Sequence, residues 1–210
     1  MSRNQPTITA MKSEFIRGAD LIASPWKNGG GVTREIAAYP PDAGFDRFIW
    51  RVSLADVAQP GPFSSFAGID RTLVLLSGAG MLLDEAQGRT HALEQPYDIA
   101  RFAGEAAIDA RLIDGATRDF NLMIRRGAAT GDIDVWHGGE SHAVSADTLL
   151  LFCAAGCVYV TLAGVDEPVA LATNDTLRID DVQHTLDCAI SGNGTVLAIS
   201  IHHAARAART

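Results

Sequence analysis

The 210-residue chain has few cysteines, no long apolar run and no excess of positive charge. Its three cysteines, Cys153, Cys157 and Cys188, are an odd number, and no secretory leader is evident, so a disulfide framework is not expected. Cys153-Ala-Ala-Gly-Cys157 has neither metal nor redox spacing and lies between two apolar runs, which fits small core residues. A net charge of −8 leaves no basic face for nucleic acid or an anionic membrane. No stretch approaches the ~20 apolar residues of a membrane span. Met1 to Lys12 lacks the apolar centre of a signal peptide, which makes the cytoplasm the expected compartment.

Metal-ligand patterns are scarce too. His91, His137, His142, His184, His202 and His203 include no His-x-His pair. His137-Gly-Gly-Glu-Ser-His142 falls in a glycine loop rather than on a helix, and adjacent His202 and His203 on a strand would face opposite sides. No phosphate loop is present, because the one glycine triplet is not followed by Gly-Lys-Ser/Thr at a helix start. Neither a metal nor another cofactor is expected.

What remains is 47% apolar and 20% charged, the composition of a globular chain long enough to bury a core. Helical periodicity is absent. Short alternating or apolar runs are separated by Gly, Pro, Asp and Asn, which predicts an all-β sandwich or barrel. Sixteen strands are expected between Phe15 and His202, with one helical turn at Asp56-Val57-Ala58. An internal repeat sharpens this. Residues 71–83 align without a gap on 147–159, each reading strand, small-residue turn, strand, and 98–102 aligns on 175–179. Two copies predict two packed barrels or jelly rolls. The expected division is 12–113 and 114–203, with strands exchanged between halves if the fold requires it, and a fraying tail at 204–210.

The two copies differ in chemistry. Lys27, Asn28, Thr33, Glu35, Arg51, Ser53, Ser64 and Arg71 all lie near the first, whereas the second is largely apolar. The centre of the first is Trp26-Lys-Asn-Gly-Gly-Gly-Val-Thr-Arg-Glu-Ile36. Three adjacent glycines are tolerated where the backbone needs positive φ or a close approach. The strand that follows puts Thr33 and Glu35 on one face and Val32, Arg34 and Ile36 on the other. In Phe48 to Ala55, Arg51, Ser53 and Ala55 share a face opposite Trp50, Val52 and Leu54. In Asp119 to Arg126, Asn121, Met123 and Arg125 oppose Phe120, Leu122 and Ile124. Plainer readings stand beside each of these. Glu35 and Lys27 could be a salt bridge bracing the glycine turn, Arg71 could pair with Asp70 or Glu35, and Phe63 and Phe66 could simply plug a barrel end.

Four motifs together resemble the HutD/Ves family: Pro25-Trp-Lys-Asn-Gly-Gly-Gly-Val-Thr-Arg-Glu-Ile36, Trp50-Arg-Val-Ser53, Gly61-Pro-Phe-Ser64 leading to Gly68-Ile-Asp-Arg71, and Asp119 to Arg126. They span roughly residues 14 to 126. Ala67, where the family more often has proline, is a small departure. The resemblance implies a bicupin fold without the usual metal ligands. It also implies a link to bacterial histidine utilisation, in which a pathway intermediate such as urocanate or formylglutamate is bound.

The expected function is therefore binding of a small carboxylate in the N-terminal barrel, without catalysis. Arg51, with Arg71 or Lys27, would receive the carboxylate through parallel hydrogen bonds. Asn28, Thr33, Ser53, Ser64 and Asn121 would orient it, and Trp26 and Phe66 would shield it, with Glu35 at the same site. The alternative is a metal-independent cupin enzyme, an isomerase or hydrolase acting on a small polar metabolite, with Glu35 or Lys27 as acid or base. A third reading is an interaction protein that pairs an uncovered sheet edge with a partner. A homodimer is compatible with all three.

Overall fold

The computed structural model describes residues 12–182 and 185–204. The N-terminal stretch up to residue 11, Gln183, His184 and the tail from 205 lie outside the described residues. Short alternating runs build strands throughout, in four antiparallel sheets. A six-stranded sheet runs in the order Ala23–Pro25, Gly31–Tyr39, Trp50–Val57, Thr117–Arg125, Ile69–Ser77, Ile99–Ala103. A four-stranded sheet of Gly61–Pro62, Ile108–Leu112, Met81–Glu85 and Thr90–Leu93 belongs to the same half. The other half combines a five-stranded sheet, Lys12–Ile16, Thr176–Asp180, Thr148–Ala155, Thr195–His203 and Ala129–His137, with a four-stranded one, Ser141–Val144, Leu186–Gly192, Cys157–Leu162 and Val169–Ala172. This is the all-β bicupin arrangement, two jelly-roll sandwiches packed together.

Alternation explains the layering, because the central strands of the two large sheets have apolar residues on both faces. Leu73, Leu75, Met81, Leu83, Leu93 and Phe102 fill the first sandwich. Leu149, Leu151, Val158, Val160, Leu177 and Val196 fill the second. The opposite faces of the large sheets meet each other: Trp50, Val52, Leu54, Phe120 and Leu122 from one, Leu150, Phe152, Leu197 and Ile199 from the other. The rings of Phe120 and Phe152 lie 5.0 Å apart at this joint. With both faces of the six-stranded sheet covered, a polar residue on it is buried unless a cleft opens beside it.

Strand exchange links the halves. Thr117–Arg125, beyond residue 113, lies between Trp50–Val57 and Ile69–Ser77 in the first half's sheet, and Lys12–Ile16 pairs with Thr176–Asp180 in the second half's. Sheet membership, rather than a cut at residue 113, describes the two units. Three short strands escape alternation analysis: Ala23–Pro25, Gly61–Pro62 and Val169–Ala172. The helical turn expected at Asp56 to Ala58 is not one. Asp56 and Val57 finish a strand, and the Ala58 amide donates to the Gly30 carbonyl at 2.9 Å. A 3-10 turn forms at Gly18–Asp20 instead.

The repeat is structural, but its gap-free alignment fails across the turn. Leu73 and Leu75 point inward, as do the aligned Leu149 and Leu151. After the turn, Met81 and Leu83 are buried while the aligned Cys157 and Tyr159 are exposed and Val158 and Val160 are buried. The first hairpin turns through Gly78, Ala79 and Gly80, whereas the second turns through Gly156 after a register shift between Cys153 and Ala155, and a one-residue slip is enough to exchange the faces of a strand. Cys153 and Cys188 are core residues, but Cys157 is exposed, against the expectation of burial. Among the described residues no helix is long and apolar enough to cross a membrane.

Candidate functional site

A cleft of about 980 Å3 opens over the six-stranded sheet of the first half. All ten residues expected at the site line it: Lys27, Asn28, Thr33, Glu35, Arg51, Ser53, Ser64, Phe66, Arg71 and Asn121. Trp26 lines it as well. The reason is cross-strand register. One row across the sheet reads Glu35, Ser53, Asn121, Leu73, and the next reads Thr33, Ala55, Asp119, Leu75. A third row reads Arg51, Met123, Arg71. Residues opposite one another on neighbouring strands point to the same side, so three alternating segments converge on one floor.

The glycine triplet shapes one wall. Gly29 has φ +70°, and its amide donates to the Trp26 carbonyl at 3.0 Å, closing the turn. Gly31 is required by close approach instead. A Cβ there would sit 2.5 Å from the Asp56 carbonyl oxygen and 3.0 Å from the Trp26 ring. Trp26 is held over the cleft by its Nε1–H, which donates to Thr33 Oγ1 at 2.7 Å. Asn28 Oδ1 accepts from the Gly30 amide at 3.0 Å, so that oxygen braces the turn. Lys27, Asn28 and Ser64 are exposed at the rim. Arg34, on the opposite face, joins Arg118 on Asp56, and these two guanidinium groups hold the Asp56 carboxyl below the usual carboxylate range.

The two floor arginines are in different situations. Arg51 donates from Nε to Glu35 Oε2 at 2.6 Å and from Nη1 to Ser53 Oγ at 3.2 Å, with Phe45 over its guanidinium at 5.0 Å. The Glu35 side chain is 47% exposed, so the pair reaches solvent. The expected Lys27–Glu35 bridge does not form, because Arg51 from the adjacent strand takes the carboxylate. Arg71 is 7% exposed and ringed by Phe63, Phe66 and Phe102 at 5.2, 5.8 and 5.1 Å. It pairs with neither Asp70, which Arg126 takes, nor Glu35. Among the described residues no carboxylate lies within ion-pair distance of it, and its Nε is buried without a partner. Burial lowers its pKa to about 10, with Asp119 opposing and Arg51 adding to the shift, so it stays cationic near neutrality. Phe63 and Phe66 thus do more than plug a barrel end, since they also stack on this cation.

Sequence reasoning missed Asp119 as a site residue. It is 1% exposed, lines the cleft and has both carboxylate oxygens buried without a hydrogen-bond partner. Burial raises its pKa to about 7, with Arg71 opposing the shift and Asp56 adding to it. Asn121, two residues on, also leaves Oδ1 buried and unpartnered. The signal was present, because Asp119 shares the alternation that placed Asn121 and Met123 inward. Phe45, in an irregular loop, offered no such signal. Arg125 is not in the cleft. It donates to the carbonyls of Phe48 and Asp46 at 2.8 and 2.9 Å and anchors that loop. Among the described residues no three His, Cys, Asp or Glu side chains gather as a metal-ligand set.

Comparison with known proteins places this geometry in a family. An uncharacterised 21.2 kDa protein in the hutC 3′ region of Pseudomonas putida is 37% identical over 180 residues, 85% of this chain and 93% of its own. Protein Ves of Citrobacter koseri is 40% identical over 104 residues, 48% of this chain and 52% of its own. The solved structure of HutD from Pseudomonas fluorescens SBW25 is 32% identical with a TM-score of 0.79, covering 91% of this chain and 99% of that one. At 8% identity and a TM-score of 0.59, oxalate decarboxylase from Bacillus subtilis shares the cupin fold alone. The HutD family model matches residues 18–198, and the chain belongs to the HutD family.

Proposed function

We propose that this chain is a HutD-like protein that binds a small carboxylate in the first-half cleft and thereby moderates histidine utilisation, with urocanate or formylglutamate as the bound intermediate. The observation that carries the reading is Arg71, a buried guanidinium in an aromatic ring whose Nε has no partner. A desolvated cation without a counter-charge is costly, and a ligand carboxylate would satisfy it through charge-assisted hydrogen bonds. Arg51 is already engaged by Glu35 and Ser53, so it borders the site while Arg71 receives the ligand. The mixture of aromatic wall and few convergent polar groups suits a small polar metabolite. A relative 37% identical to this chain lies in a hutC 3′ region, which supports the link to histidine utilisation.

Thermal-shift titration with urocanate and with formylglutamate tests this. Stabilisation should grow with ligand concentration relative to its dissociation constant in the wild type and need a roughly 10- to 100-fold higher ligand concentration in Arg71→Ala. No shift by any carboxylate in the wild type would sink the proposal.

A further inference from the structure

We infer that the cleft floor selects carboxylates that also carry an N–H donor, with Asp119 and Asn121 receiving the donor while Arg71 receives the carboxylate. The inference rests on the carboxylate reading above and names what else the ligand must carry. Three buried oxygens on one strand face, Oδ1 and Oδ2 of Asp119 and Oδ1 of Asn121, have no hydrogen-bond partner, and all border the cleft. Asn121 Oδ1 is an acceptor, and Asp119 offers two acceptor oxygens when ionised and one when protonated. Buried polar atoms are nearly always satisfied, and leaving them unsatisfied costs free energy. A ligand that brought only a carboxylate would answer Arg71 and leave the Asp119 end unsatisfied. A ligand with a carboxylate at one end and an imidazole or amide N–H at the other answers both.

The dimensions agree with a small molecule. Asp119 and Met123, the latter opposite Arg71, are four residues apart on one strand, about 14 Å at ~3.4 Å per residue. The Arg71 guanidinium and the Asp119 carboxylate influence each other's proton affinity without reaching ion-pair distance.

Isothermal titration of the wild type with two matched pairs tests the inference. Urocanate is compared with 3-(2-furyl)acrylate, which keeps the planar ring and carboxylate but has no N–H. N-formylglutamate is compared with glutarate, which lacks the amide. A site built to hydrogen-bond a donor rejects the analogue without it, so at least one donor-bearing member should bind tenfold or more tightly than its partner. In Asp119→Ala the ratio should fall to about threefold or less. If the wild type binds the members of each pair equally, the donor inference fails while the carboxylate reading stands. If it discriminates but a folded Asp119→Ala variant keeps the ratio, the assignment to Asp119 is overturned. Should none of the four bind, both readings fall. The wild-type comparison stands even if the variant does not fold.

Discussion

Arg51 Nε meets Glu35 Oε2 at 2.6 Å across neighbouring strands, and this bond leaves Arg71 as the floor cation without a carboxylate beside it. The two arginines lie opposite Met123 on either side, in one row of the sheet. Their difference comes from the partners on their outer flanks. Glu35 borders Arg51, whereas phenylalanines surround Arg71.

Substitution at the two positions should therefore separate stability from binding. Arg71→Ala should weaken urocanate or formylglutamate binding by the value of charge-assisted hydrogen bonds, about 1.5–3 kcal/mol, which is a loss of roughly 10- to 100-fold. Arg51→Ala should lose less affinity. Its pair with Glu35 reaches solvent, so its effect on stability should also be small, about 1 kcal/mol or less. Calorimetric titration beside thermal denaturation of each variant checks the split.

Asp119 should govern how stability depends on pH near neutrality. Its folded pKa, about 7, lies above the ordinary 3.8, so the folded chain holds this proton longer than the unfolded chain. Stability then falls as pH rises from about 4 towards about 7 and does not recover above that. Asp56 acts oppositely. Arg118 and Arg34 depress its pKa, so its contribution is present above the ordinary carboxylate pKa and lost only in acid. The ligand-free wild type should melt at a lower temperature at about pH 8 than at about pH 5, and Asp119→Asn should flatten that difference. An unchanged slope in the variant would assign it elsewhere.

Gly31 and Gly29 should fail for different reasons. Gly31→Ala forces a methyl group against the Asp56 carbonyl and the Trp26 ring, so it should cost about 1–3 kcal/mol as overpacking and displace Trp26 over the cleft. Gly29→Ala meets open space and should cost only its backbone conformation, about 1–2 kcal/mol. Urea denaturation measures both, and ligand affinity should drop only for Gly31→Ala.

Thr33→Val keeps the shape of the side chain but removes the acceptor of the Trp26 indole N–H. A net loss of about 1 kcal/mol is expected, with a shift in the Trp26 fluorescence spectrum and weaker ligand binding. Retention of both spectrum and affinity would show that this hydrogen bond does not position the ring.

Much of the candidate site was legible in the chain because alternation has a period of two. Thr33 with Glu35, Arg51 with Ser53, and Asn121 with Met123 could each be placed on one face without coordinates. Asp119 belongs to the same series and was passed over, although its neighbour two residues on was identified. The repeat was legible as two hairpins, but not the reversed face of the second strands, where the register also shifts between Cys153 and Ala155 just before the turn.

The sequence alone determined the strand character, the duplication, the lack of a histidine metal pattern and the set of polar side chains sharing each strand face. Tertiary structure decided which cation keeps its freedom. That depends on strand order and on the bulge near Ile36, where the register shifts between Glu35 and Ala37. Thr117–Arg125 enters between Trp50–Val57 and Ile69–Ser77, which carries Asp119 into the floor. Ionic pairing and desolvation depend on which strands lie side by side, and local sequence cannot specify a neighbour that arrives from tens of residues away.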